Sequence, residues 1–119
     1  MICPYCKKEA LWCENKEIYG KNYGKSFMCW LCKPCDAYVG CHNNTEKPLG
    51  TMANKTTRAL RIKAKNYWIE KYAPDYKEIG SNKKGKYYYK LSQLLDIPYE
   101  ETHFAMFSQS MCIKVLQLK

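Results

Sequence analysis

The sequence contains no run of about 18 apolar residues, so a membrane-spanning helix is excluded. Met1-Ile2-Cys3 opens without the basic stretch and apolar stretch that mark secretion. The expectation is an intracellular, cytoplasmic protein with no membrane partner. Histidine is scarce, with only His42 and His103 present. The acids available to help them, Asp36, Glu46, Glu100 and Glu101, are scattered, and no acidic cluster offers to hold a catalytic metal. That argues against a metal-dependent nuclease, and the chain is not expected to be an enzyme. No internal repeat or low-complexity stretch is present. At 119 residues the chain makes one domain or two very small ones. A core of that size gains from a metal or covalent clip.

What the sequence does have is sulfur and positive charge. It carries 8 Cys, and 20 Lys plus Arg against 11 Asp plus Glu, for a net charge of +9. The excess sits in the middle third: residues 47–90 hold 12 Lys plus Arg and 3 acids, while the flanking segments are close to neutral. A polyanion is the natural partner for such a chain, and nucleic acid is the commonest polyanion. The competing reading is a soluble protein with a solvated lysine face.

The cysteines fall into pairs. Cys3-Pro4-Tyr5-Cys6 and Cys32-Lys33-Pro34-Cys35 are separated by 25 residues. The two-residue gap lets one tight turn aim both sulfurs at one ion, so the four suit a single structural Zn²⁺ per chain. The spacer is longer than the usual ~15–20 residues. A hairpin of two aromatic strands, Ala10-Leu11-Trp12-Cys13 and Phe27-Met28-Cys29-Trp30-Leu31, would absorb the excess. Gly20, Asn22 and Gly24 lie between them as turn residues. Alternation puts Leu11, Cys13, Cys29 and Leu31 on one side of that hairpin.

A second register stays open, because Cys29-Trp30-Leu31-Cys32 is also a C-x2-C pair. Pro34 suits a tight knuckle and Trp30 and Leu31 suit a strand, which favours Cys32 with Cys35. An iron–sulfur run is disfavoured because Cys41 misses the spacing after Cys29, Cys32 and Cys35. A disulfide framework is disfavoured by the reducing compartment. Cys41-His42 offers two further ligand types, but neighbours on an extended chain point opposite ways. A packed thiol and a hydrogen-bonded imidazole are the simpler reading, as for Cys112 and His103.

Residues 51–72 hold neither Pro nor Gly and stop short of Pro74, which predicts one long helix with Thr51 as its N-cap. On a helical wheel Ala53, Thr57, Leu60, Ala64, Tyr67 and Trp68 form an apolar stripe. Arg58, Arg61 and Lys65 fall beside it as a cationic ridge, with Lys55 further round. Such a ridge can follow a phosphate backbone. The second basic stretch is Lys83, Lys84 and Lys86 with Tyr87-Tyr88-Tyr89. Interleaved Lys and aromatics suit unpaired bases and phosphates. Tyr88, Leu91 and Leu95 could equally share a packed helical face. Asp96-Ile97-Pro98 ends that helix, Pro98 can start a new turn, and Ser108 can cap a last helix containing Cys112, Val115 and Leu116. Phe104 and Phe107 are expected in the core.

The stretch from Cys32 to His42, followed by Pro48-Leu49-Gly50-Thr51-Met52-Ala53-Asn54, resembles a zinc-finger-containing family of phage and prophage proteins. The likeness continues through residues 91–97, Glu100-Glu101-Thr102-His103, Phe107 and Cys112. It implies a viral or prophage origin and zinc on the paired cysteines, and it carries no particular activity. The family pattern has His where Lys65 stands and an acid where Ser108 stands, so any role of that His is lost here.

The expected fold class is α+β. A small N-terminal zinc-ribbon β-hairpin module over 1–50 precedes a helical module over 51–119 packed on it, with one long basic amphipathic helix. The expected function is nucleic-acid binding without catalysis, through Lys55, Arg58, Arg61, Lys65, Lys83, Lys84 and Lys86. The alternative is a small phage-encoded inhibitor or adaptor gripping a host protein, since 17 of 119 residues are aromatic and Tyr, Trp and Arg anchor interfaces.

Overall fold

Strand β1 (Leu11–Glu14) runs antiparallel to β2 (Met28–Cys32), in a register that keeps the face side-chain alternation predicts. Leu11 lies opposite Leu31 and Cys13 opposite Cys29, so all four project to one side. On the other side Trp12 faces Trp30, with ring centroids 4.9 Å apart. The computed structural model describes residues 1–119 and divides into two compact units, Met1–Thr56 and Thr57–Lys119.

In the first unit a single helical turn, α1 (Lys16–Tyr19), interrupts the β1–β2 connection. Gly20 ends that turn at φ 86°, a left-handed conformation that costs an L side chain about 1–2 kcal/mol. The sequence did not announce a third strand. β3 (Ala37–Gly40) pairs antiparallel with β2 and completes a sheet of order β1-β2-β3. Residues beyond it continue the pairing. Tyr38 and Ala53 exchange two backbone hydrogen bonds of 3.2 and 3.1 Å, and Met52 is buried.

That pairing corrects the expected helix start. Ala53 is held extended beside β3, and the backbone N–H of Asn54 donates to the Tyr5 hydroxyl at 3.1 Å. The long helix α2 therefore begins at Lys55 and runs to Tyr72, and Thr51 does not cap it. The core of this unit is small: Cys3, Ala10, Cys32, Ala37, Val39 and Met52, with Met1, Cys6, Trp30 and Cys35 packed on it. Four of those ten residues are cysteines of the two pairs.

The second unit is helical. α2, α3 (Gly85–Leu95) and α4 (Gln109–Leu116) are joined by short 3-10 turns at Ser81–Lys83, Tyr99–Glu101 and Phe104–Met106. Of the expected α2 stripe, Thr57, Ala64 and Trp68 are buried, and Leu60 and Tyr67 pack partly buried against the core. Trp68 is 1% exposed and centres an aromatic cluster, with Tyr88 at 4.9 Å, Tyr76 at 5.4 Å and Phe104 at 5.5 Å. Leu91, Leu95, Phe104, Phe107, Cys112 and Val115 complete the core. α3 closes with Asp96 left-handed at φ 55°, and the Lys114 ammonium donates to the Leu95 carbonyl at 2.7 Å, where the helix dipole is negative. Ser108 caps α4 by accepting from the Met111 N–H at 3.2 Å. No helix is long and apolar enough to cross a membrane.

Candidate metal centre and basic surface

Each C-x2-C pair folds as a tight knuckle for the same local reason. In the first, the Cys3 carbonyl accepts from the Lys7 N–H and the Cys3 N–H donates to the Lys8 carbonyl, both at 2.9 Å. In the second, the Lys33 carbonyl accepts from the Asp36 N–H at 3.1 Å. The residue after each second cysteine reverses the chain through left-handed space: Lys7 at φ 66° and Asp36 at φ 50°. Pro4 and Pro34 pre-set the turn backbone. β2 delivers the second knuckle directly, since Cys32 is its last residue.

The result is four sulfurs, of Cys3, Cys6, Cys32 and Cys35, all within 4.8 Å of one another. The Cys6 and Cys32 sulfurs are 3.7 Å apart. A tetrahedral ion with metal–sulfur bonds of ~2.3 Å spaces its ligands at about 3.8 Å. The donor set is entirely soft, which disfavours Mg²⁺ and Ca²⁺. Cys3 and Cys32 are buried, and Cys6 and Cys35 are half-buried. These four residues therefore form a group able to hold a metal ion.

Proton affinities in the cluster point the same way. Burial opposes ionisation of Cys3, but the N–H groups of Cys6 and Tyr5 and the thiols of Cys32 and Cys6 outweigh it, bringing Cys3 down to about 7. At Cys32 the Cys35 N–H favours the thiolate, yet burial and the neighbouring Cys6 and Cys3 sulfurs push its pKa up. Burial, followed by the Cys32, Cys6 and Cys3 sulfurs, pushes Cys35 up to about 12. The first thiolate thus suppresses the others. Only a cation among the sulfurs lets several ionise together.

The remaining cysteines lie apart from this group. Cys29 faces Cys13 across the β1–β2 ladder with sulfurs 3.9 Å apart, and burial first, then Cys13, pushes it up to about 12. Cys41 is a packed thiol pointing at the Glu46 carbonyl, 3.8 Å away, and burial and the Glu46 charge raise its pKa. Cys112 is fully buried and raised by that burial, against the charge of Arg61. His42 is exposed in the turn after Cys41, and His103 is exposed with its ring 6.0 Å from that of Tyr88.

The basic residues of the second unit are not evenly spread. Arg58, Arg61 and Lys65 line one open depression of about 270 Å³, together with Ile62, Phe104 and Ala105. Arg61 is fixed there, its Nε donating to the Phe107 carbonyl at 2.9 Å. The Lys65 ammonium lies 5.3 Å from the centre of the Tyr76 ring, and the Lys84 ammonium lies 4.3 Å from the same centre. The two basic stretches therefore meet at one aromatic residue. Tyr76 was missed in the sequence, since it sits after Pro74 and outside either stretch. Lys86 lies 5.0 Å over Tyr87, while Lys55 and Lys83 are exposed. Tyr87 donates to Asp75 and Tyr88 meets Tyr76, hydroxyl to hydroxyl at 2.7 Å. Tyr88 thus belongs to the packed interior, and Tyr89 is left exposed.

Residues 1–119 match the profile of a family of zinc-finger-containing domains, and the chain belongs to that family. No curated protein and no solved structure gives a significant match.

Proposed function

We propose that this zinc-finger-containing domain is a non-enzymatic, phage-type nucleic-acid-binding protein, held in shape by one zinc ion. Cys3, Cys6, Cys32 and Cys35 would hold the ion. Zinc supplies no catalysis in such a closed sulfur site, only a tie between the first residues and the end of β2. Family membership, the soft donor set and the suppressed thiolates support zinc. The sequence likeness from Cys32 to Asn54 is what supports the phage setting.

The observation that carries the nucleic-acid reading is the meeting of Lys65 and Lys84 at Tyr76. Two ammonium groups that share one ring lie within about a Debye length, ~10 Å, and repel each other. Arg58 and Arg61 extend the same charge along α2 through the depression that Lys65 also lines. A phosphate chain relieves that repulsion, which an isolated solvated lysine does not need. Lys55, Lys83 and Lys86 add to the basic field around this contact.

A salt titration tests the reading. Binding to mixed-sequence nucleic acid should weaken steeply, with a log–log slope of roughly −0.7 to −0.9 per phosphate neutralised. Replacing both Lys65 and Lys84 by Ala should remove between one and two units of that slope. Micromolar protein that binds neither DNA nor RNA at low salt would remove the reading.

A further inference from the structure

We infer that the strand gripped by the basic surface is unpaired, with one base seated in the depression between α2 and the Phe104–Met106 turn; this rests on the nucleic-acid reading above. The carrying observation is Ile62. At 64% it is the most exposed large hydrophobic residue of the chain, yet it stands inside the cationic ridge. Arg58 is one turn before it, Lys65 one turn after it and Arg61 beside it, and all four line the depression. Phe104 and Ala105 form the remaining wall. Phe104 is held rigid by Trp68 at 5.5 Å and Phe107 at 5.0 Å.

A duplex makes little use of that apolar floor. Its base faces are stacked within, and apolar contact is limited to groove edges such as thymine methyls. An unpaired nucleotide presents an apolar base face and a phosphate together, and the depression offers an apolar floor and a cationic rim together. The arrangement occurs twice in the second unit. Tyr89 and Tyr99 are 56% and 42% exposed with ring centroids 6.2 Å apart, and Lys86 lies one helical turn before Tyr89. Repetition of ring or apolar patch beside lysine or arginine matches a polymer that repeats base and phosphate. It matches an acidic peptide less well, since that offers no flat rings at regular intervals.

Fluorescence anisotropy with a labelled strand of about 12 nucleotides, within the ~4–16 typical of one binding module, tests this against a blunt duplex of equal length. The single strand should bind at least tenfold tighter at low salt. Ile62→Ala should weaken strand binding about fivefold without altering the salt slope, the duplex affinity or the melting temperature. Tyr89→Ala should behave similarly. Equal or tighter duplex binding, or an Ile62→Ala protein that binds strands normally, would overturn the inference while leaving salt-dependent nucleic-acid binding intact. If neither nucleic acid binds, both readings fall. Capture of polyglutamate in their place would assign the surface to an acidic protein.

Discussion

The sulfur of Cys6 lies 3.7 Å from the sulfur of Cys32, although 26 positions separate them in the chain. That single closure ties the first knuckle to the end of β2, and the small core of the first unit is built around it. With so little apolar surface to bury, the unit depends on the tie. Purified protein should carry one zinc per chain, and a strong chelator should unfold the first unit, seen as loss of its strand signal in circular dichroism. Cys32→Ser should lose the metal. Cys29→Ala should keep it, because that sulfur faces Cys13 and not the cluster. Cys35→Ser should lose zinc as well; its retention there, with loss by Cys29→Ala, would restore the overlapping Cys29-Trp30-Leu31-Cys32 register.

The protonation of the cluster sets a pH dependence with a definite sign. Without metal, Cys3 titrates near 7 while Cys32 and Cys35 stay protonated beyond the ordinary thiol value of 9.0. Zinc uptake between pH ~7 and ~9 must therefore expel protons from at least Cys32 and Cys35, and affinity should rise by about a hundredfold or more per pH unit. Below the Cys3 value one further proton joins, so the dependence steepens and the metal is lost as pH falls. Competition against a chromophoric chelator, with the chelator's own pH dependence subtracted, measures it. A flat profile would mean that the thiols are already ionised in the free chain.

How far the sequence foretold this architecture depends on the range of the forces involved. Alternation and cap chemistry are local, so the shared face of Leu11, Cys13, Cys29 and Leu31 and the Ser108 cap could be read directly, whereas the pairing of Leu11 with Leu31 could not. β3 could not. Ala37-Tyr38-Val39-Gly40 is short and ends in Gly, and it becomes a strand because the second knuckle returns the chain alongside β2. The start of α2 misled for a related reason. Residues 51–54 are compatible with helix, but Ala53 pairs with Tyr38 and Met52 is buried, and these contacts outweigh propensity. The four cysteines were legible as two pairs, whereas the left-handed turns at Lys7 and Asp36 had no glycine to mark them. The junction at Tyr76 is wholly tertiary, made by three segments that no local pattern connects.

Lys7 offers a test of how well the first knuckle is formed before metal arrives. At φ 66° a non-glycine residue is strained by about 1–2 kcal/mol. Its ammonium donates to the Pro4 carbonyl at 2.8 Å, an exposed bond of modest worth. Lys7→Gly should remove the strain and tighten zinc about fivefold, equivalent to about 1 kcal/mol. Lys7→Val should loosen it by at least as much, because a β-branched residue is a true outlier in that region. Chelator competition at fixed pH reads both. Equal affinity for the two variants would mean that the turn is already formed before the ion binds, so that its strain cancels between the free and bound states.

A comparison of Lys63 with Lys65 separates surface geometry from bulk charge. Both are on α2, and removing either lowers the net charge by one. Lys65 lines the depression with Arg58 and Arg61 and reaches Tyr76, whereas Lys63, stepped two residues back, lies roughly 160° round the helix from it. If nucleic acid follows the surface that Lys65 shares with Lys84, Lys65→Ala should reduce the salt slope by close to one unit and weaken binding several-fold at low salt. Lys63→Ala should change either quantity far less, since a lone charge on the opposite side acts only through the screened field. Equal losses from the two variants would show that the chain attracts polyanions by net charge alone, without a defined track.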